Sequence, residues 1–200
     1  MKEKTQEITE INEEMSSLKR SEKNKKKEKS FLVEVIEIIV IAAVLAFALR
    51  TFVIESFWVP SGSMLPTIQL NDRVWVTKFS YKIGEPERGD VVVFRPPAEA
   101  HAAANEKYFI KRLIGLPGET VEFKDNRLYI DGELVEEDYL GDDVYTDNFG
   151  PFKVGEDCYF FCGDNRTGSY DSRAWGDVER DNLVGQAQCI YWPLARMGGL

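Results

Sequence analysis

Two serines, Ser61 and Ser63, stand in the stretch WVPSGSMLPTI, residues Trp58 to Ile68, with a glycine between them and a proline to either side. Pro60 and Pro66 restrict φ and Gly62 accepts backbone geometry that other residues resist, so the stretch reads as a stiff, kinked turn rather than a linker. A hydroxyl held in such a turn can serve as a nucleophile if a base stands within hydrogen-bond reach. The single histidine, His101, lies in the small-residue loop PPAEAHAAANEK, which offers no rigid setting for a Ser-His-Asp triad. Lys111 is the better base. It follows the apolar strand segment of YFIKRLIGLPGE, where burial lowers a lysine pKa and frees the amine to take a proton. On residue type alone, a surface lysine on an edge strand remains the alternative.

Other chemistry finds less support. One histidine and no CxxC pair give no zinc site, and no motif calls for a cofactor. Cys158 and Cys162 fall in CYFFC, a strand that sets them about 13 Å apart and forbids a bridge between them. Either can reach Cys189, or all three are buried thiols that pack as small apolar groups. The formal charge of −9 argues against nucleic acid as a partner.

The charge is unevenly spread. Residues 1–30 carry nine Lys/Arg against seven Glu, and KRSEKNKKKEKS alone holds seven positive against two negative, whereas everything after residue 30 is acidic. Next comes FLVEVIEIIVIAAVLAFAL, Phe31 to Leu49, whose nineteen residues span roughly 28 Å as a helix, enough to cross a hydrocarbon core. Glu34 and Glu37 fall at its headgroup end and Arg50 can snorkel at the other. A buried core helix or a cleaved leader ending at Ala46-Phe47-Ala48 would be the alternatives, but thirty residues precede the run, too many for an ordinary leader. The reading is a retained anchor at 31–50, with the basic tail cytoplasmic and residues 51–200 outside.

Beyond the anchor the pattern becomes short strands separated by turns. DRVWVTKFSY, DVVVFRP, YFIKRLIGL, TVEFKDNRLYIDGELV, CYFFCGD and LVGQAQCIYWPL are rich in Val, Ile, Phe and Tyr. Asp125-Asn126 and Asp131-Gly132 mark the tight turns of a small meander. The part that must position the serines and the lysine is therefore mainly β, an antiparallel sheet domain with a small inserted β subdomain at about 118–160.

Five segments, PSGSMLPT, NDRVWVTKFSY, RGDVVVF, YFIKRLIGLPGE and GDNRTGSYDSR, follow the apolar run in this order. Together they resemble bacterial type I signal peptidase, the membrane-bound Ser-Lys protease that frees exported proteins from their signal peptides, over about residues 31–193. The resemblance implies Ser63 as nucleophile and Lys111 as general base. It implies Ser61 and the Ser63 N–H as the oxyanion hole, and Ser169 as the hydroxyl that orients the lysine amine. Asp171 and Arg173 correspond to a supporting ion pair, with Asp164 and Arg166 structural in the same segment. Phe57, Val59, Pro60, Phe109 and Ile110 would line shallow pockets for a small-x-small sequence such as Ala-x-Ala, bound as an added strand. Phe109 stands where tyrosine is frequent, and Trp58 is bulkier than the polar residue of some members. The single anchor and the short segment between Lys111 and GDNR resemble Gram-positive members, and lysine in the base position argues against the endoplasmic-reticulum branch.

The implied substrates are secretory preproteins, with membrane lipid and an export translocon as further partners. A dedicated protease for one or a few translocated substrates is the alternative within the enzyme class. An inactive scaffold would lack Ser63 or Lys111, and a self-cleaving regulator would need a DNA-binding domain that thirty residues cannot form.

Overall fold

The computed structural model describes residues 33–47, 53–102, 106–141 and 143–200, with Met15 alone from the tail. The basic tail at 1–30 lies outside the described residues apart from Met15, as do residues 31–32 and 48–50 of the expected anchor. Helix α1 covers residues 33–47, and its apolar side chains are exposed nearly all round, from Val33 and Ile36 to Phe47. Among the described residues no helix is long and apolar enough to cross a membrane.

Residues Arg50–Leu200 form their own unit, and it is built of strands. These are β1 (Ile54–Trp58), β2 (Arg73–Thr77), β3 (Val91–Phe94), β4 (Phe109–Gly115), β5 (Thr120–Lys124), β6 (Arg127–Ile130), β7 (Glu133–Val135), β8 (Phe149–Lys153), β9 (Cys158–Cys162), β10 (Val178–Glu179), β11 (Leu183–Trp192) and β12 (Gly198–Gly199). The larger sheet runs β1-β2-β11-β3-β4-β9-β10, with β12 on β11, and the smaller runs β7-β6-β5-β8. Every pairing is antiparallel. The mainly β expectation holds.

Local chemistry explains most of these elements. In β2, Val74 and Val76 are buried while Arg73 and Trp75 face out, the alternation of a half-buried strand. All four residues of β3 are buried, as befits a strand covered on both faces. Asp125 and Asn126 both have positive φ, as do Asp131 and Gly132, so both tight turns have the twist that matches β-hairpins.

Three features depart from the sequence reading. Strand β1 carries a weak apolar pattern, IESFW, and forms because its backbone pairs with β2 from Ile54↔Thr77 to Trp58↔Arg73. Strand β8, FGPFK, contains Gly150 and Pro151, residues that argue against a central strand; it lies at the edge of its sheet, where proline is tolerated. The expected strand over DRVWVTKFSY stops at Thr77, whose hydroxyl meets Ser80 Oγ at 2.5 Å as the chain turns into helix α2 (Ser80–Ile83). The three cysteines are all free, Cys162 buried and Cys158 and Cys189 half-buried. Neither pairing with Cys189 forms.

One core cluster lies directly under the serine turn. It joins Val59, Met64 and Ile68 to Val74, Val76, Val91, Val93, Ala187 and Ile190. Met64 and Ile68 are fully buried, and each such burial contributes roughly 1.5–3 kcal/mol. The residues flanking Ser63 therefore bind the turn to the sheet.

Candidate active site

Two elements bring the serine and the lysine together. The turn is fixed by Met64 and Ile68 below and by backbone bonds from Val59 N–H to Asp72 O at 3.0 Å and from Asn71 N–H to Val59 O at 2.8 Å. Lys111 lies in β4, paired with Val92 of β3. Its Nζ donates to Ser63 Oγ at 2.6 Å although the two residues are 48 positions apart. Both are buried: Lys111 is 5% exposed and Ser63 8%.

Burial decides the protonation chemistry. Desolvation pushes the Lys111 amine from its ordinary 10.5 down to about 8, and nearby Asp171 opposes this only in part. The amine also lies 5.6 Å from the Phe109 ring. In its neutral form it can accept the Ser63 proton along the bond it now donates, which is what a general base must do. His101 is exposed in the loop after the short turn Ala98–Ala100 and takes no part in this contact.

Ser61 Oγ stands 3.5 Å from Ser63 Oγ, too long for a firm hydroxyl–hydroxyl bond but close enough for both to face one reacting carbonyl. Among the described residues the Ser63 N–H donates to no group. The turn and the start of β4 flank a groove of about 710 Å³. Phe57, Val59, Pro60, Phe109 and Ile110 all line it, and Trp58 and Tyr170 stand at it as well.

The segment after β9 closes the site from the other side. Asp171 takes Arg173 Nε at 2.8 Å and Nη2 at 2.7 Å, and its Oδ2 accepts the Gly163 N–H at 3.0 Å. Arg173 also donates to Arg166 O at 2.7 Å, and Arg166 forms a bidentate pair with Glu137 at 2.6 and 2.9 Å. Asp164 accepts from Thr67 at 2.5 Å and from both Nε and Nη2 of Arg112, at 2.9 and 2.6 Å. It therefore joins the serine turn to β4, holding the loop of Ser63 to the strand that carries Lys111. Gly163 packs so tightly that a Cβ there would land on Ser169 Oγ and the Ser63 carbonyl.

One expectation needs correction. Ser169 does not hydrogen-bond the Lys111 amine: its Oγ is buried without a partner among the described residues. The hydroxyl is held against Gly163, while Lys111 Nζ is directed to Ser63.

The sequence reading passed over several residues that the geometry brings forward. Arg112 is 5% exposed and stacks its guanidinium on Tyr139 at 4.0 Å, and a basic residue inside an apolar strand run was its signal. Thr67, Glu137 and Asn165 carried none. Asn165 donates its N–H to Ser63 O at 3.1 Å and its side-chain Nδ2 to Gly62 O at 3.0 Å.

A buried lysine amine on the hydroxyl of a serine in a rigid turn, at the floor of an apolar groove, defines a serine hydrolase whose base is lysine. The profile described as "Signal peptidase, peptidase S26" matches residues 32–192. The chain is 42% identical to "Probable signal peptidase I-2" of Synechocystis sp., over 88% of this chain and 82% of that protein. It is 45% identical to "Signal peptidase I" of Leptolyngbya laminosa, over 84% of each. With "Signal peptidase I S" of Bacillus subtilis it shares 40% identity, over 87% of this chain and 96% of the relative. A solved signal peptidase I from Enterococcus faecalis V583 is 35% identical, covering 52% of this chain and 97% of that one with a TM-score of 0.44. The chain belongs to the signal peptidase family, peptidase S26.

Proposed function

We propose that this protein is a serine endopeptidase that removes N-terminal signal peptides from exported preproteins, cleaving after small-x-small sites. The observation that carries the reading is the 2.6 Å contact between Lys111 Nζ and Ser63 Oγ inside a buried site. In the reaction, neutral Lys111 takes the Ser63 proton as Oγ attacks the scissile carbonyl. The oxyanion is stabilised by the Ser63 N–H and the Ser61 hydroxyl. Lys111 then passes its proton to the leaving amine, and the acyl-enzyme is hydrolysed by water that Lys111 activates in the same way. Asp164, Arg166, Asp171 and Arg173 hold the frame. Ser169 stands beside the site as a buried hydroxyl.

The substrate lies as an extended strand in the groove beside Phe57–Pro60 and Phe109–Ile110, whose shallow apolar walls favour small side chains. Residues 31–50 anchor the chain in the plasma membrane, residues 1–30 remain cytoplasmic, and residues 51–200 act outside, with 118–160 a reduced second subdomain. The apolar, outward-facing α1 and the lysine-rich tail support this topology. Lipid and the export translocon are the neighbours it implies.

The test is incubation of the detergent-solubilised protein with a secretory preprotein and N-terminal sequencing of the product. Cleavage directly after an Ala-x-Ala site, lost in Ser63→Ala, is expected. Cleavage elsewhere, or full activity in Ser63→Ala, would refute the reading.

A further inference from the structure

A trans peptide is a rigid plane whose C=O and N–H point in opposite directions. The Ser63 N–H therefore cannot be aimed independently: its direction is set by where Gly62 O points. The Gly62–Ser63 peptide is trans, and Gly62 lacks the Cβ that would resist rotation of that plane. Two donors hold Gly62 O. Leu65 N–H, at 3.2 Å, is part of the same turn and moves with it. Asn165 Nδ2, at 3.0 Å, comes from 103 residues away and ties the carbonyl to the frame after β9.

The orientation of the Asn165 amide follows from its other partner. Its Oδ1 accepts the Gly168 N–H at 3.1 Å, and a backbone N–H can only donate, so the atom facing Gly62 O must be the NH₂. The Asn165 backbone N–H also donates to Ser63 O at 3.1 Å. One residue thus grips the carbonyls on both sides of the Ser63 N–H, which itself donates to nothing among the described residues.

We propose that Asn165 is a positioning residue for the oxyanion hole, its side-chain amide fixing the Gly62–Ser63 peptide so that the Ser63 N–H faces the developing oxyanion. The proposal rests on Ser63 being the nucleophile. Donation to Gly62 O also polarises the peptide and strengthens the N–H as a donor. Asn165 also stands at the groove, but in this role it acts through the Gly62–Ser63 peptide, so its effect falls on the transition state rather than on substrate affinity or on the titration of the base.

The experiment compares Asn165→Ala and Asn165→Asp with the full-length enzyme. Removing an oxyanion donor outright costs about 10²–10³ in rate, and loss of the group that aims one is expected to cost about 10- to 100-fold in kcat, with KM within about twofold. The pH midpoint of activity in Asn165→Ala should be that of the unsubstituted enzyme. Asn165→Asp keeps the acceptor for Gly168 N–H but replaces the donor with a carboxylate oxygen that repels Gly62 O, so it should fall at least as far even if the alanine variant folds poorly. Labelling with carbonyl-¹³C glycine and ¹⁵N serine selects two peptides, Gly62–Ser63 and Gly168–Ser169. The Ser63 amide signal should move in both variants. Wild-type kcat in Asn165→Asp, a loss confined to KM, or an unmoved Ser63 amide signal would overturn the proposal while leaving an inactive Ser63→Ala, and hence the catalytic reading, intact. Activity surviving in Ser63→Ala would remove both.

Discussion

Activity should follow the titration of Lys111, and stability should also rise with pH, from the same burial of the amine. With the amine at about 8, roughly one molecule in ten carries the neutral base at pH 7, against about one in 3,000 for an unperturbed lysine at 10.5. Burial therefore supplies about a 300-fold gain in competent enzyme at neutral pH. The rate should rise close to tenfold per pH unit below about 7, bend near 8 and level off above it.

The same burial carries a cost. Below about pH 8 both the folded and unfolded chains hold the proton, and the folded chain bears a buried cation. Between about 8 and 10.5 the unfolded chain binds more protons than the folded one, so stability rises with pH across that window. A depression of about 2.5 units corresponds to about 3 kcal/mol, present in full below pH 8 and gone above 10.5. Lys111→Met keeps the length and apolar stem, removes the charge and loses one hydrogen bond to Ser63, worth about 1 kcal/mol. We expect an inactive protein that is more stable than the parent by about 2 kcal/mol at pH 7, with the advantage shrinking toward pH 10. Denaturant midpoints across pH 6–10, beside initial cleavage rates over the same range, make the measurement. An activity midpoint near 10, or a Lys111→Met variant less stable than the parent at pH 7, would refute the reasoning. Lys111→Arg should be inactive despite its charge, since guanidinium does not release its proton here, while His101→Ala should cleave normally.

Ser61→Ala should lower kcat by about 10²–10³ and leave residual cleavage that Ser63→Ala lacks, read by single-turnover kinetics; equal loss in both would reassign the two hydroxyls. Asp164→Ala should destabilise the protein by about 3–5 kcal/mol in denaturant titration, because it strands the buried Arg112 guanidinium. Gly163→Ala should abolish cleavage, and adding Ser169→Gly should not restore it, since the new Cβ still meets the backbone carbonyl of Ser63.

What the sequence discloses and what it hides have separate physical causes. The hairpin turns were legible because positive φ at two successive residues demands Asp, Asn or Gly, and Asp125-Asn126 and Asp131-Gly132 carry that demand in their side chains. Strand β1 was not, because an edge strand forms through its partner's backbone and needs no pattern of its own. The same division runs through the site. Ser63 and Lys111 stand out by chemical type, whereas their meeting across 48 residues depends on β3 pairing Val92 with Lys111 and on Met64 and Ile68 holding the turn down.

The groups that set the angles are harder still to see. Thr67 and Asn165 are ordinary loop residues in a string, and each hydrogen-bonds a segment about a hundred residues away. Ser169 shows the converse error. The family resemblance implies a bond to the base, yet a side chain's partner depends on where its neighbours sit, and Gly163 leaves room for the Ser169 hydroxyl to tuck against it unpaired. Residue type thus proposes the chemistry of this site, and long-range backbone registry, invisible in any local window, decides which polar groups complete it.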